Sequence, residues 1–198
     1  MSNAIQDLHE LGQSLWYDNI RRGLLSDGTF DRMVSRGEIR GVTSNPSIFN
    51  QAIAKSDDYD EQLHTLIEKG CQAQEIYESL AFRDIQAAAD IFRPLYERTD
   101  GGDGYVSLEV NPNLADDTQG TCAEAARLWQ QVDRPNLMVK IPATSAGIPA
   151  ITQSIATGIN VNVTLIFSRD RYQEVMEAYL AGLEERLEAG GVLARSLL

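Results

Sequence analysis

The chain has 198 residues, 43% of them hydrophobic and 23% charged, which describes one ordinary folded domain and excludes a disordered segment. A formal net charge of −12 argues against nucleic acid or an anionic membrane as a general partner. The two cysteines, Cys71 and Cys122, lack zinc-ligand spacing, so we expect free thiols in a reducing compartment and no metal site. We find no signal peptide or membrane span in the sequence and therefore predict a cytoplasmic protein.

Predicted strands and helices alternate along the chain. In chain order, the predicted strands cover residues 14–17, 39–43, 105–110, the apolar run around Lys140 and residues 159–167. The predicted helices cover residues 26–35, 56–69, 73–92, 121–129, about 146–156, and a long segment between Ser168 and Gly190. Alternation of this kind calls for a parallel sheet whose strands are joined by helical crossovers.

Local signals set the predicted ends of these elements. Asp27 is the expected cap of the first helix, and Pro94 is expected to end the third. A capping-box pattern at Thr121 opens the fourth helix, and Ser168 caps the last. Proline also ends the second strand in a polar turn at residues 44–46. On the last helix, we expect an inward face formed by Tyr172, Val175, Tyr179, Leu183 and Leu187.

One polar residue lies at or near the carboxyl end of each predicted strand. These residues are Asp18, Asn45, Glu109, Lys140 and Thr164. The active site of a parallel α/β protein forms at that edge of the sheet. Five polar side chains at one rim are hard to explain as unrelated core residues, so the pattern favours an enzyme.

Lys140 is the most informative of these residues, because its ammonium falls within an apolar, strand-forming run. Burying an unpaired ammonium is costly, and the usual escape is to lose the proton. A neutral lysine amine is a nucleophile that condenses with a carbonyl to give a Schiff base. The alternative is a lysine at a strand end that pairs with a carboxylate and has no further role.

Four segments resemble motifs of the transaldolase family and occur in the family's order. They are GVTSNPSIF at residues 41–49, VSLEV at 106–110, LMVKIPAT at 137–144 and INVNVTLIFS at 159–168. The resemblance extends from Leu8 to Gly190. It implies a (β/α)8 TIM barrel that uses no metal or cofactor and acts on sugar phosphates.

The resemblance also implies a reaction and roles for particular residues. The reaction transfers a dihydroxyacetone unit from sedoheptulose 7-phosphate to glyceraldehyde 3-phosphate, in the pentose phosphate pathway. By motif, Lys140 forms the Schiff base, and Asp18 is the general acid/base during carbon–carbon cleavage. Glu109 activates a water for imine formation, and Thr164 helps to hold that water. The resemblance implies that Asn45 and Asn162 form hydrogen bonds with substrate hydroxyls.

Each of these residues also has an interpretation that involves no catalysis. Asp18 would serve only as a helix cap, and Asn45 only as part of the turn before the proline. Glu109 would be a counter-charge to the lysine. Thr164 is ordinary in a strand, and Asn162 would close a turn.

The chain also departs from the family pattern. It offers five strand–helix units where a (β/α)8 barrel has eight, so we expect residues 1–198 to form a single partial barrel domain, truncated after the fifth unit. The groups that would bind the substrate phosphate are expected in the absent part. Open strand edges predict self-association and little activity for the chain alone. The alternatives are another Schiff-base aldolase and a non-catalytic remnant.

Overall fold

The computed structural model describes residues 4–193, which form two compact units. The first unit runs to Val106 and includes Arg134–Asn136, and the second consists of Ser107–Asp133 and the chain from Leu137 onward. Five strands form one sheet in the order β1-β2-β3-β4-β5, and the boundary between the units falls within β3. The predicted α/β architecture is confirmed, with the strand order of part of a (β/α) barrel. The assignment to a single domain stays a prediction.

The first unit begins with helical and strand segments that are short, and its longest element is α6. Its elements are α1 (Ala4–Glu10), β1 (Trp16–Tyr17), α2 (Arg22–Ser26), α3 (Thr29–Ser35), β2 (Gly41–Thr43), α4 (Pro46–Ala54), a 3-10 turn (Asp57–Tyr59), α5 (Asp60–Glu68) and α6 (Ala73–Arg98). Strand β3 (Tyr105–Glu109) begins in this unit.

Strands β1 and β2 pair in parallel, with Trp16 opposite Gly41 and Tyr17 opposite Val42. A Cβ at Gly41 would lie 2.5 Å from the Trp16 ring, so glycine is required where the indole covers this strand. Beyond β2, the Asn45 side chain accepts a hydrogen bond from the Ile48 N–H at 2.9 Å and caps α4. The predicted turn at residues 44–46 is therefore the start of a helix.

Helix α6 continues past Pro94, so the prediction that this proline ends the helix is wrong. Proline lacks an N–H and leaves one carbonyl of the preceding turn without its helical donor. Beyond the proline, however, Leu95 and Tyr96 are only 5% and 4% exposed. Burial of these two large side chains stabilises the last turns, and tertiary packing outweighs the local signal.

Other boundaries in the first unit also differ from the predictions. Helices α1, α2 and α4 were not predicted, and the predicted helix 56–69 is divided into a 3-10 turn and α5. Helix α3 begins at Thr29 and not at residue 26, because Gly28 precedes it in a left-handed conformation with φ of 75°. Asp27 still contributes, since its carboxylate accepts a hydrogen bond from the Thr29 N–H at 2.8 Å.

The second unit contains the rest of β3 and the elements that come after it. These are a 3-10 turn (Pro112–Leu114), α7 (Thr118–Val132), β4 (Leu137–Pro142), α8 (Gly147–Ala156), β5 (Val161–Thr164) and α9 (Arg169–Glu188). Helix α7 begins three residues before the predicted capping box, with Asp117 as its cap. Thr121 is instead buried in the first turn and donates to the Leu114 carbonyl at 3.0 Å.

Helix α9 begins as predicted, because the Ser168 hydroxyl accepts a hydrogen bond from the Arg171 N–H at 3.1 Å. Its predicted inward face is partly wrong, since Tyr172 and Leu187 are 55% and 60% exposed. The buried residues of α9 are Val175, Ala178 and Gly182. At Gly182, a Cβ would lie 2.6 Å from the Thr152 carbonyl oxygen, so small residues bring α9 against α8.

Strands β4 and β5 pair in parallel, and their register aligns Lys140 with Asn162 and Pro142 with Thr164. Strand β5 is shorter than predicted because Leu165 has a left-handed φ of 63°, which cannot continue a strand. Cys71 and Cys122 are free thiols, as expected. Within residues 4–193, no helix combines the length and the apolar character needed to cross a bilayer.

Candidate active site

Lys140 lies in the middle of β4, where its neighbours Val139 and Ile141 are fully buried. Its own side chain is 14% exposed. The apolar strand predicted around this lysine is therefore confirmed. The amine is held by a stiff, buried strand while its tip keeps limited access to solvent.

Glu109, the last residue of β3, places its carboxylate beside that amine. The distance from Lys140 Nζ to Glu109 Oε2 is 3.4 Å, and the Glu109 side chain is 18% exposed. The backbone supports the contact, because the Val110 N–H donates to the Lys140 carbonyl at 3.1 Å. The pairing fits a carboxylate that moves protons for the amine, and it also fits the simpler counter-charge.

Asn162 extends this row of polar residues onto β5. It is aligned with Lys140 across the sheet, and residues aligned in this way point to the same face. Its amide Nδ2 donates to the Ser107 hydroxyl at 2.9 Å. Because Asn162 lies within β5, the alternative in which it closes a turn is wrong.

Ser107 is a residue of the site that the sequence motifs did not single out. It is fully buried on β3 and lies two residues before Glu109, so both side chains are on one face of the strand. The signal in the sequence was this spacing of two, within a strand whose other residues are apolar. Its hydrogen bond fixes the amide orientation of Asn162.

Thr164 is the last residue of β5 and lies two positions after Asn162, on the same face of the sheet. Its carbonyl accepts a hydrogen bond from the Ala143 N–H at 2.8 Å, which joins the ends of β4 and β5. The polar face of the second unit thus contains Ser107, Glu109, Lys140, Asn162 and Thr164.

Asp18 and Asn45 belong to the first unit, where both come after the carboxyl ends of strands, as predicted. The N-cap position of the helix after β1 is Arg21, whose side chain makes no capping hydrogen bond, so the alternative that makes Asp18 a helix cap is wrong. Asn45 does cap α4, because its side-chain oxygen Oδ1 accepts a hydrogen bond from the Ile48 N–H. The role of Asp18 as general acid/base and the contact of Asn45 with a substrate hydroxyl stay predictions.

The polar face of the second unit has the components that Schiff-base chemistry needs. An amine on a rigid strand can attack a carbonyl, and a carboxylate at its side can relay protons. A hydroxyl and an amide near the amine can orient a water molecule or a substrate hydroxyl. The fold and this set of groups are typical of an enzyme that forms an imine at the carboxyl end of a parallel sheet.

Comparison with known proteins identifies the family. Residues 15–194 match the family model described as transaldolase/fructose-6-phosphate aldolase. The match covers most of the chain, and the chain belongs to this family.

Individual relatives agree with this assignment. The transaldolase of Thermobifida fusca (strain YX) is 52% identical over 190 residues, which cover 96% of this chain and 52% of the relative. The transaldolase of Saccharopolyspora erythraea is 51% identical over 98% of this chain and 52% of its own length. The transaldolase of Thiobacillus denitrificans is 49% identical, over 98% of this chain and 54% of its own length. The chain thus spans about half the length of these curated relatives.

Proposed function

We propose that the chain carries a Schiff-base transaldolase site in which Lys140 is the nucleophile. The carrying observation is the contact of 3.4 Å between Lys140 Nζ and Glu109 Oε2 within a largely buried polar face. The reaction would move a dihydroxyacetone unit from sedoheptulose 7-phosphate to glyceraldehyde 3-phosphate. Family membership supports this choice of reaction.

In the first step, the Lys140 amine adds to the ketose carbonyl carbon, and the resulting carbinolamine loses water to give an iminium. Each stage moves a proton between nitrogen, oxygen and a nearby base. Glu109 would activate a water for this transfer, and Thr164 would help to hold that water. A positioned acid/base of this kind typically accelerates a reaction by about 10²–10⁴-fold.

In the second step, the carbon–carbon bond breaks when the adjacent hydroxyl loses its proton. The electron pair moves into the iminium to leave an enamine, which then attacks the aldehyde carbon of the acceptor. We assign the proton transfer to Asp18 and the contacts with substrate hydroxyls to Asn45 and Asn162. The iminium is itself the electron sink, so the mechanism involves no metal ion.

The test is reductive trapping with borohydride in the presence of fructose 6-phosphate, combined with peptide mass analysis. The sequence contains three lysines, Lys55, Lys69 and Lys140, and both others are exposed. We expect a covalent adduct on Lys140 that is absent in Lys140→Ala and unchanged in the control Lys69→Ala. An adduct that maps to Lys55 or Lys69 and spares Lys140 would refute the proposal.

An aldolase that releases the three-carbon unit is the second candidate, because the family description includes fructose-6-phosphate aldolase. The two activities differ in the fate of the enamine, which is captured by an aldose phosphate in one case and by a proton in the other. For a transaldolase, fructose 6-phosphate should therefore yield product only when an aldose phosphate acceptor is supplied. Release of dihydroxyacetone without an acceptor would favour the aldolase. An absence of adduct in a folded chain would favour the non-catalytic alternative.

We also propose a cytoplasmic location and self-association through open strand edges. The acidic composition and the free thiols support the first, and the position of β1 and β5 at the ends of the strand order supports the second. Cell fractionation and size-exclusion chromatography over a concentration series test the two proposals.

A further inference from the structure

Two threonine hydroxyls join the chain segments that follow β3 and β4. The Thr144 hydroxyl donates a hydrogen bond to the Ala115 carbonyl at 2.5 Å, and the Thr118 hydroxyl donates to the Ala146 carbonyl at 2.7 Å. All four residues are partly buried, so water competes weakly for these bonds. Each segment thus supplies one hydroxyl to the other, and these two bonds are the threonine bridges.

The Thr144 hydroxyl takes part in a second bond at the start of α8. Its oxygen accepts a hydrogen bond from the Gly147 N–H at 2.9 Å. Gly147 is buried, and a Cβ at this position would lie 2.0 Å from the Pro142 carbonyl oxygen. The end of β4 and the first turn of α8 are therefore closely packed, and the Thr144 hydroxyl is oriented by a donor and an acceptor at once.

The bridged segments continue directly from the strands that hold Glu109 and Lys140. Glu109 is the last residue of β3, and Lys140 lies two residues before the end of β4. The Val110 N–H donates to the Lys140 carbonyl at 3.1 Å, but the chain then enters the 3-10 turn at Pro112–Leu114 and no longer extends β3. Beyond Val110, the threonine bridges connect the two segments in place of strand pairing.

The contact between Lys140 and Glu109 is sensitive to small movements of these strand ends. The distance of 3.4 Å from Nζ to Oε2 is already longer than a typical hydrogen bond, and the two side chains reach the contact from different strands. A displacement of about 1 Å at a reacting group can cost about 10²-fold in rate. A small shift of one strand end against the other would therefore separate the amine from its carboxylate.

We propose that Thr144 and Thr118 are positioning residues for imine formation, because the threonine bridges keep Glu109 beside Lys140. The inference rests on the proposed function and deepens it, since it names residues that act through the pair of reacting groups. Thr144 is the last residue of the segment LMVKIPAT, and the proposed mechanism gives it no other part.

The experiment is the time course of borohydride trapping at Lys140 over a range of fructose 6-phosphate concentrations. Thr144→Val replaces the hydroxyl by a methyl group of similar size, so the bonds are lost while the shape of the side chain is kept. We expect the maximal trapping rate to fall by about tenfold, whereas the sugar concentration that gives half of that rate should change by less than about twofold. Thr144→Ser keeps the hydroxyl and should restore the rate to within about twofold of the original chain.

The second bridge and a matched control locate the effect. Thr118→Val removes one bridge and leaves the other, so we expect a fall of about threefold in the maximal rate. Thr152 is the control, because its hydroxyl also donates from α8 to a carbonyl of another element, that of Ala178 in α9, at 3.1 Å. Thr152→Val removes a bond of the same kind in the middle of α8 and should leave the trapping rate unchanged.

A double variant separates positioning from a general loss of stability. Glu109→Gln has no carboxylate to be held against the amine, so the further change Thr144→Val should slow trapping by less than about twofold in that background. The inference is wrong if Thr144→Val is folded by circular dichroism and traps as fast as the original chain, or if it slows trapping equally with and without Glu109. Should Thr144→Val fail to fold, Thr118→Val provides the same comparison. An original chain that forms no adduct at Lys140 would instead refute the proposed function.

Discussion

Two ion pairs in this protein have equally buried cations and different surroundings. Arg22 in the first unit and Lys140 in the second are each 14% exposed. Arg22 Nε lies 2.8 Å from Asp84 Oδ1, and its Nη2 also donates to the Leu80 carbonyl at 3.3 Å. The Lys140 amine has one polar contact among the described residues, at 3.4 Å to Glu109 Oε2.

Both carboxylate oxygens of Asp84, the partner of Arg22, accept hydrogen bonds. Asp84 is 1% exposed, and its second oxygen accepts a hydrogen bond from the Tyr59 hydroxyl at 2.8 Å. That hydroxyl in turn accepts from the Arg22 N–H at 3.1 Å, and the guanidinium carbon lies 4.5 Å from the Tyr59 ring centroid. Burial raises the pKa of Asp84, and the bonds from Arg22 and Tyr59 oppose that rise.

Burial and hydrogen bonding together separate a structural ion pair from a reactive one. Where every donor and acceptor is satisfied, a change in either partner leaves a buried charge, so the pair is fixed. A single long contact leaves most of the amine's bonding capacity to water or substrate. The Arg22–Asp84 pair joins three elements, which are helix α2, helix α6 and the 3-10 turn that contains Tyr59. The Lys140–Glu109 pair is suited to chemistry.

The largest effect should come from disrupting the fully bonded pair. We expect Asp84→Ala to lower the free energy of unfolding by about 3–5 kcal/mol, because Arg22 would be left buried without a counter-charge. Urea denaturation monitored by circular dichroism measures the change. The matched control is Asp90→Ala, which removes an exposed ion pair with Arg134 and should cost less than about 1 kcal/mol. Similar losses in the two variants would show that burial does not distinguish these pairs.

At the second pair, the expected effect is on rate. Glu109→Gln preserves the shape of the side chain and removes its ability to take a proton. We expect trapping at Lys140 to slow by about 10²-fold, which corresponds to about 2.7 kcal/mol in the barrier. The measurement is the time course of the borohydride adduct, with the exposed Glu188→Gln as control. A rate equal to that of the original chain would leave Glu109 as a counter-charge only.

Most of the fold was predictable because strands and long helices leave strong periodic signals. All five predicted strands exist, and the cap at Ser168 was correct. The errors lie where packing or backbone conformation opposes the local signal. Pro94 stays within a helix because its neighbours are buried. Leu165 ends β5 because its φ is left-handed, and a leucine in the sequence gives no signal of that conformation.

The site was predictable in its residues more than in its contacts. Periodicity placed Glu109, Lys140 and Thr164 on strands, and the structure aligns Lys140 with Asn162. Strand register depends on pairing between segments distant in the chain, so the bond from Asn162 to Ser107 could not be read from either motif alone. The network around Asp84 was missed for the same reason, since Arg22, Tyr59 and Asp84 are far apart in sequence.

Measuring stability as a function of pH tests the Arg22–Asp84 ion pair and its Tyr59 partner in a second way. Burial, and then the charge of Asp84, raise the pKa of Tyr59 in the folded chain well above the ordinary value. The unfolded chain therefore loses this proton first, so the stabilisation is complete below about pH 10 and declines as the pH rises further. Tyr59→Phe should cost about 2 kcal/mol at pH 7, because the buried Asp84 carboxylate and the partly buried Arg22 N–H each lose a hydrogen bond. That deficit should shrink above about pH 10, and a constant deficit would contradict the assignment.

The smallest expected effect comes from replacing one of two buried serines, Ser107, with the other, Ser154, as the control. Ser107 is fully buried and accepts the Asn162 amide, whereas Ser154 is 2% exposed and its hydroxyl has no partner among the described residues. Ser107→Ala should free the amide of Asn162 and weaken the apparent affinity of fructose 6-phosphate in the trapping reaction by about twofold to tenfold, the equivalent of one hydrogen bond. Ser154→Ala removes a hydroxyl that is buried without a bond, so it should leave trapping unchanged and stability equal or higher. If both variants bind the sugar as the original chain does, the polar face does not depend on a fixed Asn162, and the contrast between the two ion pairs would rest on Lys140 and Glu109 alone.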